Sequence, residues 1–323
     1  MHNNKELLEK FNAGFEKLNF GDTPNRLYDP IYYTIKMGGK RIRPILCIMA
    51  SELFGGRYED IIDAAYGIEI FHNFTLLHDD MMDNSSTRRG KPAVHIKWNE
   101  TIALLSGDAM SVIAYKYVGK CKNNLPEILN TFSETALQIC EGQQYDMDFE
   151  SETNVCEKDY IKMITLKTAV LLAGSLKIGA LSANATKDDC FHIYEFGKNI
   201  GIAFQLQDDL LDVFGNTENF KKNLGGDIVS NKKTYLLIKA LELADTSTKE
   251  KLNYWLSLKD FDPSEKINAV RDIYETLNIE RFTTELMTYY FNKSEESLNS
   301  IKVSDDKKKY LLEFTNSLKT RTF

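Results

Sequence analysis

Proline is scarce in this chain, and residues 127–262 contain none. A long stretch free of the residue that removes a backbone donor and clashes with the preceding turn favours long helices. Strand signals are missing too: no run sustains period-two alternation, and no Asn-Gly or Asp-Gly pair joins two strand-like segments. The few cysteines, Cys47, Cys121, Cys140, Cys156 and Cys190, form no CxxC pair and stand at no zinc-ligand spacing with histidine. That argues against a zinc site and a disulfide scaffold, and fits reduced thiols in a cytoplasmic protein. The start, Met-His-Asn-Asn-Lys-Glu, sets no apolar run behind a basic segment, so we expect neither a signal peptide nor a membrane-spanning helix. Excess positive charge is also lacking: 40 basic residues against 47 acidic ones leave a net −7. This argues against nonspecific binding to nucleic acid or to an anionic membrane. Any anionic substrate must be held by local basic clusters or by metal ions.

What the chain does have is helical periodicity. Ile61, Ala64, Ala65, Ile68 and Phe71 fall on one face of a helix, as do Ile193, Phe196, Ile200, Phe204 and Leu211. Gly38-Gly39 and Gly55-Gly56 bracket a further helix with Pro44 near its start. Asn84 to Pro92 and Gly215 to Ser230 read as polar loops, and Asp262-Pro263 as a helix break. No low-complexity linker divides the 323 residues, so we expect one all-α domain of ten or more helices over 1–323.

Two aspartate-rich segments end apolar helical runs. In Asp79-Asp80-Met81-Met82-Asp83, Asp79 and Asp83 lie one turn apart on one face, and Asp208-Asp209-Leu210-Leu211-Asp212 repeats the pattern. Like charges at this spacing repel by a few tenths of a kcal/mol unless a cation intervenes. One such cluster is explained by a solvated acidic face; two copies are not. Oxygen-only donors suit a hard cation, with Mg²⁺ shared between carboxylates and substrate phosphates the usual arrangement. Matching cations are present. Lys40 and Arg43 occupy a Gly-started loop, adjacent Arg88 and Arg89 point in different directions, and Lys222 and Lys232 follow the second motif. Lys167, beside Thr168, sits inside an apolar helix and should reach an anion, unless it snorkels to the surface. His72 lies two turns before Asp79, while His78 reads as a structural neighbour.

Together these segments resemble the trans-isoprenyl diphosphate synthases, the polyprenyl synthetase family. The resemblance runs from Gly38 to Leu237 and includes Gly-Gly-Lys-Arg-Ile-Arg-Pro, His-Asp-Asp-Met-Met-Asp, Arg-Arg-Gly-Lys-Pro, Gly107-Asp108, Glu141-Gly142-Gln143, Lys-Thr-Ala and Phe204-Gln205-Leu206-Gln207-Asp-Asp-Leu-Leu-Asp. It implies the isoprenoid synthase fold, a large helical bundle around a central cavity, in a homodimer that is not an integral membrane protein. It implies that Asp79, Asp83 and Asp208 bind three Mg²⁺ ions, with Asp80, Asp209 and Asp212 in support. Arg88, Lys167, Lys222 and Lys232 would hold the allylic diphosphate. Lys40, Arg43, His72 and Arg89 would hold isopentenyl diphosphate, and Thr168 and Gln205 would lie beside the reacting carbons. The loop before Gly225 varies in length in this family, which weakens the match at Lys222. Lys319 and Arg321 are the candidates for residues that close the site.

In such enzymes, residues one to two turns before the first Asp motif limit the product. Here these are Phe71, Phe74 and Thr75. A lone aromatic five residues before Asp79 resembles the geranylgeranyl-producing enzymes, with farnesyl close behind. A terpene cyclase or a non-catalytic subunit of a heteromeric synthase are the alternatives. The second Asp motif and Lys40, Arg43 and Arg89 disfavour the cyclase, and retention of both Asp motifs disfavours the subunit.

Overall fold

The computed structural model describes residues 4–215 and 224–319. In chain order the helices are α1 (Asn4–Phe15), α2 (Asn25–Lys36), α3 (Ile42–Leu53), α4 (Tyr58–Met82), α5 (Val94–Lys97), α6 (Glu100–Val118), α7 (Leu125–Ser151), α8 (Glu157–Ile164), α9 (Val170–Ser182), α10 (Lys187–Phe214), α11 (Gly226–Val229), α12 (Tyr235–Leu243), α13 (Thr246–Ser257), α14 (Pro263–Thr276), α15 (Ile279–Ser300) and α16 (Asp305–Lys319). A π-helical turn, Thr165–Ala169, joins α8 to α9.

The chain divides into two compact units. The first comprises residues 1–134, 174–194 and 301–312. In it α4 packs against α3 and α6, and α2 packs against α6. The predicted face of α4 is the buried one: Ile61, Ala64, Ala65 and Ile68 are fully inaccessible. Glu59 and Asp60 in its first turn complement the helix dipole. Asn84 ends α4 in a left-handed turn (φ 50°), with the Ser85 N–H reaching back to the Asp80 carbonyl at 2.9 Å. The crossing of α4 and α6 depends on glycine: a Cβ at Gly67 would lie 2.8 Å from the Ala114 carbonyl oxygen, and one at Gly107 would lie 2.2 Å from His78 Nε2. His78 is thus a packing residue, its Nε2 3.2 Å from the Leu104 carbonyl.

The second unit comprises residues 135–173, 195–300 and 313–323. Tyr160, Met163, Ile164, Ile202 and Leu206 belong to one of its cores. Asp262 caps α14, accepting from the Ser264 and Glu265 N–H groups at 2.8 and 3.0 Å, with Pro263 in the first turn.

Two loop expectations need correction. Within 84–92, Thr87–Arg88 (β1) pairs antiparallel with Lys91–Pro92 (β2). The two-residue turn between them is Arg89 (φ 53°) and Gly90 (φ 73°), both left-handed. Hairpin turns of this kind usually carry Asn or Asp first, so an arginine there gave no signal. Within 215–230, Gly226–Val229 is a helical turn, α11. Its cap is tertiary: the Asp227 N–H donates to Asp212 Oδ2 at 3.0 Å.

Residues Glu157–Ser182 form a helix long and apolar enough to cross a membrane by length and composition, with 67% of its 18-residue window buried inside the protein. A core helix passes the same test.

Candidate active site

The first unit carries the first Asp motif and the basic residues near it. Asp79 occupies the last turn of α4 and Asp83 is its C-cap, Asp79 half-buried and Asp83 exposed. Asp80, between them, is 4% exposed and turned inward. Arg88 Nε donates to Asp80 Oδ1 at 2.8 Å, and its NH2 lies 3.5 Å from Asp79 Oδ2. Burial pushes the Asp80 carboxyl up, and the Arg88 guanidinium opposes this. Arg89, next along the chain, turns the other way and donates to the Gly38 carbonyl. Arg43 NH1 meets His72 Nε2 at 3.2 Å. Lys40 is exposed on the same Gly38–Arg41 loop.

Burial first, and then Arg43, Arg89, Arg88 and Arg41, hold the His72 imidazole well below its ordinary value. His72 is therefore neutral at physiological pH and accepts from Arg43. The unfolded chain binds that proton near pH 6.5 and the folded chain does not, so stability should fall as pH drops below about 6.5. His72→Gln should remove about 1 kcal/mol of the loss between pH 7.5 and 5.5, read from urea midpoints; an unchanged slope would refute the assignment.

The aromatic residues before Asp79 join a cluster of tilted and edge-to-face rings. Phe71 is 2% exposed, and its ring lies 5.2 Å from Phe74 and 5.1 Å from Phe132, which in turn lies 4.8 Å from Tyr115. The Thr75 hydroxyl donates back to the His72 carbonyl at 2.8 Å.

The second unit carries the second Asp motif. Asp208 and Asp212 are half-buried near the end of α10. Asp209 is buried and receives the Tyr160 hydroxyl at 2.5 Å and Gln205 Nε2 at 2.8 Å. Burial, then Asp227, pushes its carboxyl up to about 7, against the pull of Lys232, Tyr160 and Gln205. Gln205 Oε1 accepts from the Thr168 hydroxyl at 2.9 Å, so Thr168, Gln205, Asp209 and Tyr160 form one chain of hydrogen bonds. Lys167 does reach an anion: its ammonium lies 2.5 Å from Asp146 Oδ2, and Lys232 approaches the same oxygen at 4.0 Å. Burial alone would raise the Asp146 carboxyl, but Lys232 and Lys167 hold it below the usual carboxylate range. Lys167 and Thr168 sit on the π-helical turn, a distortion common at functional sites. The turn abuts α7 at Gly142, where a Cβ would lie 2.2 Å from the Lys167 nitrogen.

Sequence reasoning missed Asp146, Tyr160, Arg41 and Glu69. Asp146, Tyr160 and Glu69 are single polar residues on helices with nothing local to mark them, and Arg41, although inside the Gly-Gly-Lys-Arg-Ile-Arg-Pro motif, is set apart from Lys40 and Arg43 only by its partner. Lys222 and Arg321 lie outside the described residues. Lys319 is ion-paired with Glu295 and lies 5.4 Å from the Phe291 ring.

Among the described residues no three His, Cys, Asp or Glu side chains gather closely enough to hold a metal by themselves. Each unit instead presents two carboxylates one turn apart, an oxygen-only set. This fits a Mg²⁺ ion that completes its octahedron with water and phosphate oxygens, and not a closed protein cage.

Comparison with known proteins gives the family. The pattern of the Polyprenyl synthetase family matches residues 24–276. The chain is 35% identical over 319 residues to a geranylgeranyl diphosphate synthase of Sulfolobus acidocaldarius, covering 96% of each protein. It is 41% identical over 222 residues to one of Methanosarcina mazei, covering 68% of each. A crystal structure of a geranylgeranyl pyrophosphate synthase superposes with a TM-score of 0.94 at 38% identity over 100% of both chains. The order of the motifs, the helical fold and this full-length similarity make the chain a prenyltransferase of the polyprenyl synthetase family.

Proposed function

We propose that this protein is a short-chain prenyl diphosphate synthase that condenses isopentenyl diphosphate with allylic diphosphates, using Mg²⁺, with geranylgeranyl diphosphate the main product and farnesyl diphosphate a minor one. The observation that carries the proposal is a fixed cation against the first aspartate pair, Arg88 beside Asp79, and two more, Lys232 and Lys167 around Asp146, in the unit that carries Asp208 and Asp212. Asp79, Asp83 and Asp208 would hold the metal, probed as three ions. Asp80, Asp209 and Asp212 are bonded to the protein and would keep the ligands in place.

Breaking the allylic carbon–oxygen bond separates a carbocation from a concentrated negative charge. Mg²⁺, when bound, supplies positive charge at the departing diphosphate. Arg88, Lys167 and Lys232 supply more, already fixed in position before charge develops. Thr168 and Gln205 hold polar groups beside the reacting carbons, and the buried aromatic residues of α4 exclude water that would quench the cation. Lys40, Arg43, neutral His72 and Arg89 orient isopentenyl diphosphate, whose double bond attacks before a proton leaves. The released diphosphate is the proton acceptor.

We treat the whole chain as one cytoplasmic domain, supported by a family match that runs through both units. A homodimer is supported by the exposure of Leu105 and Val112, two turns apart on α6, at 59% and 63%.

Product analysis tests the reaction. Purified protein with Mg²⁺, labelled isopentenyl diphosphate and each allylic starter should yield a geranylgeranyl product. Phe74→Ala should lengthen it by one or more isoprene units, because a cavity opens beside Phe71. Elongation without any change of length in the variant would move the floor elsewhere. No elongation with any starter would restore the cyclase or subunit reading.

A further inference from the structure

Between Lys40 and Arg43 the chain carries a third cation, Arg41, which turns away from them. Arg41 is 6% exposed and Glu69, on α4, is 1% exposed. Arg41 NH1 donates to Glu69 Oε1 at 2.5 Å. The rest of the guanidinium donates at 3.4 Å to Asn12 Oδ1 of α1 and to the Ile35 carbonyl of α2, with the Phe15 ring 5.1 Å away. Asn73, one turn beyond Glu69, donates to Glu69 Oε1 at 3.2 Å and to the Glu69 carbonyl at 2.7 Å. Glu69 Oε2 is buried and accepts no hydrogen bond.

Stability does not account for this arrangement. Burying two charges is expensive, and an apolar pair of similar volume often serves a core as well or better. An oxygen left without a donor adds to the cost. The pair's consequence is geometric. Arg41 is the N-cap of α3 and holds a left-handed backbone (φ 53°), rare for a side chain of its size. Its conformation sets the direction in which Lys40 precedes it and the turn on which Arg43 follows. Two residues after Arg41, Arg43 meets His72, which lies three residues after Glu69. Arg41–Glu69 and Arg43–His72 are therefore successive rungs between the same two segments, and the first fixes the register of the second.

We propose that Arg41 and Glu69 are a positioning pair that holds Lys40 and Arg43 in register with His72 to receive the diphosphate of isopentenyl diphosphate. The proposal rests on the reading of that basic cluster as the isopentenyl site.

The test is steady-state kinetics in both substrates for wild type, Glu69→Gln, Arg41→Lys and Arg43→Gln, each well below its unfolding midpoint. Glu69→Gln keeps the shape and removes the charge. It should raise KM for isopentenyl diphosphate about tenfold, with kcat and the allylic KM within about twofold. Arg41→Lys keeps the ion pair and loses the contacts to Asn12 and Ile35, so it should give a smaller rise in the same constant. A lower unfolding midpoint with an unchanged isopentenyl KM, or equal rises in both KM values, overturns the proposal. If Glu69→Gln does not fold, Arg41→Lys decides by the same criterion. Arg43→Gln reports separately on the underlying reading, which fails if that variant raises the allylic KM instead.

Discussion

Replacing Asp79 by Asn should lower kcat about a thousandfold while leaving the fold intact. The expected size follows from the proposed role of Asp79: one charged ligand would be lost at the point where diphosphate charge develops, worth about 4 kcal/mol in the transition state. An amide oxygen is a weaker donor to a hard cation, so the Mg²⁺ concentration for half-maximal rate should rise in parallel. The side chain of Asp79 is 21% exposed, and the amide occupies the same volume, so the unfolding midpoint should stay near that of wild type. Asp80→Asn is the informative contrast. Asp80 is buried against Arg88, and its loss should cost stability and displace Arg88. Single-turnover rates, metal titrations and thermal unfolding of both variants separate the roles. A kcat for Asp79→Asn within tenfold of wild type would remove Asp79 from the metal site.

Asp146→Asn should lower kcat about a hundredfold without a proportional rise in the allylic KM. Asp146 draws Lys167 and Lys232 to one oxygen, the side chains of the three being 12%, 20% and 36% exposed. Without the carboxylate the two ammonium groups repel each other and lose their fixed direction. They still attract a diphosphate, so binding survives better than catalysis. Stability gives an independent readout. Because the Asp146 carboxyl is held below its ordinary value, its contribution is complete above about pH 3.9 and is lost as pH falls through the lowered folded value. Asp146→Asn should flatten that acid limb of the stability curve, measured by urea midpoints between pH 5 and about 3. A steep acid limb retained in the variant would assign the slope to another carboxylate, and an unchanged kcat would make the Lys167–Asp146 pair structural.

The helices and the Asp motifs were readable because their signals are local. The buried stripe of α4 is an i, i+3/i+4 pattern, and the Asp79/Asp83 and Asp208/Asp212 pairs are defined by one helical turn. The same locality marked Asp262-Pro263 as a helix break, and α14 begins at Pro263. It failed at Arg89-Gly90, where an arginine occupies a turn position usually given to Asn, and at α11, whose cap is supplied by Asp212 from fifteen residues away. Gly107 and Gly142 were visible as motif members, but their reason is spatial: His78 and the Lys167 backbone come too close for a Cβ.

By itself, then, the sequence determined the helical class, the positions of the two carboxylate pairs and the supply of cations around them, since each is written in residues a turn or a loop apart. Only the tertiary structure decided which members of each motif turn inward. Asp80 faces Arg88, Asp209 faces Tyr160 from 49 positions away, Lys167 shares Asp146 with Lys232, and Arg41 leaves its neighbours for Glu69. A buried charge is tolerated only with a partner, and the partner is chosen by which helices pack together and not by spacing along the chain.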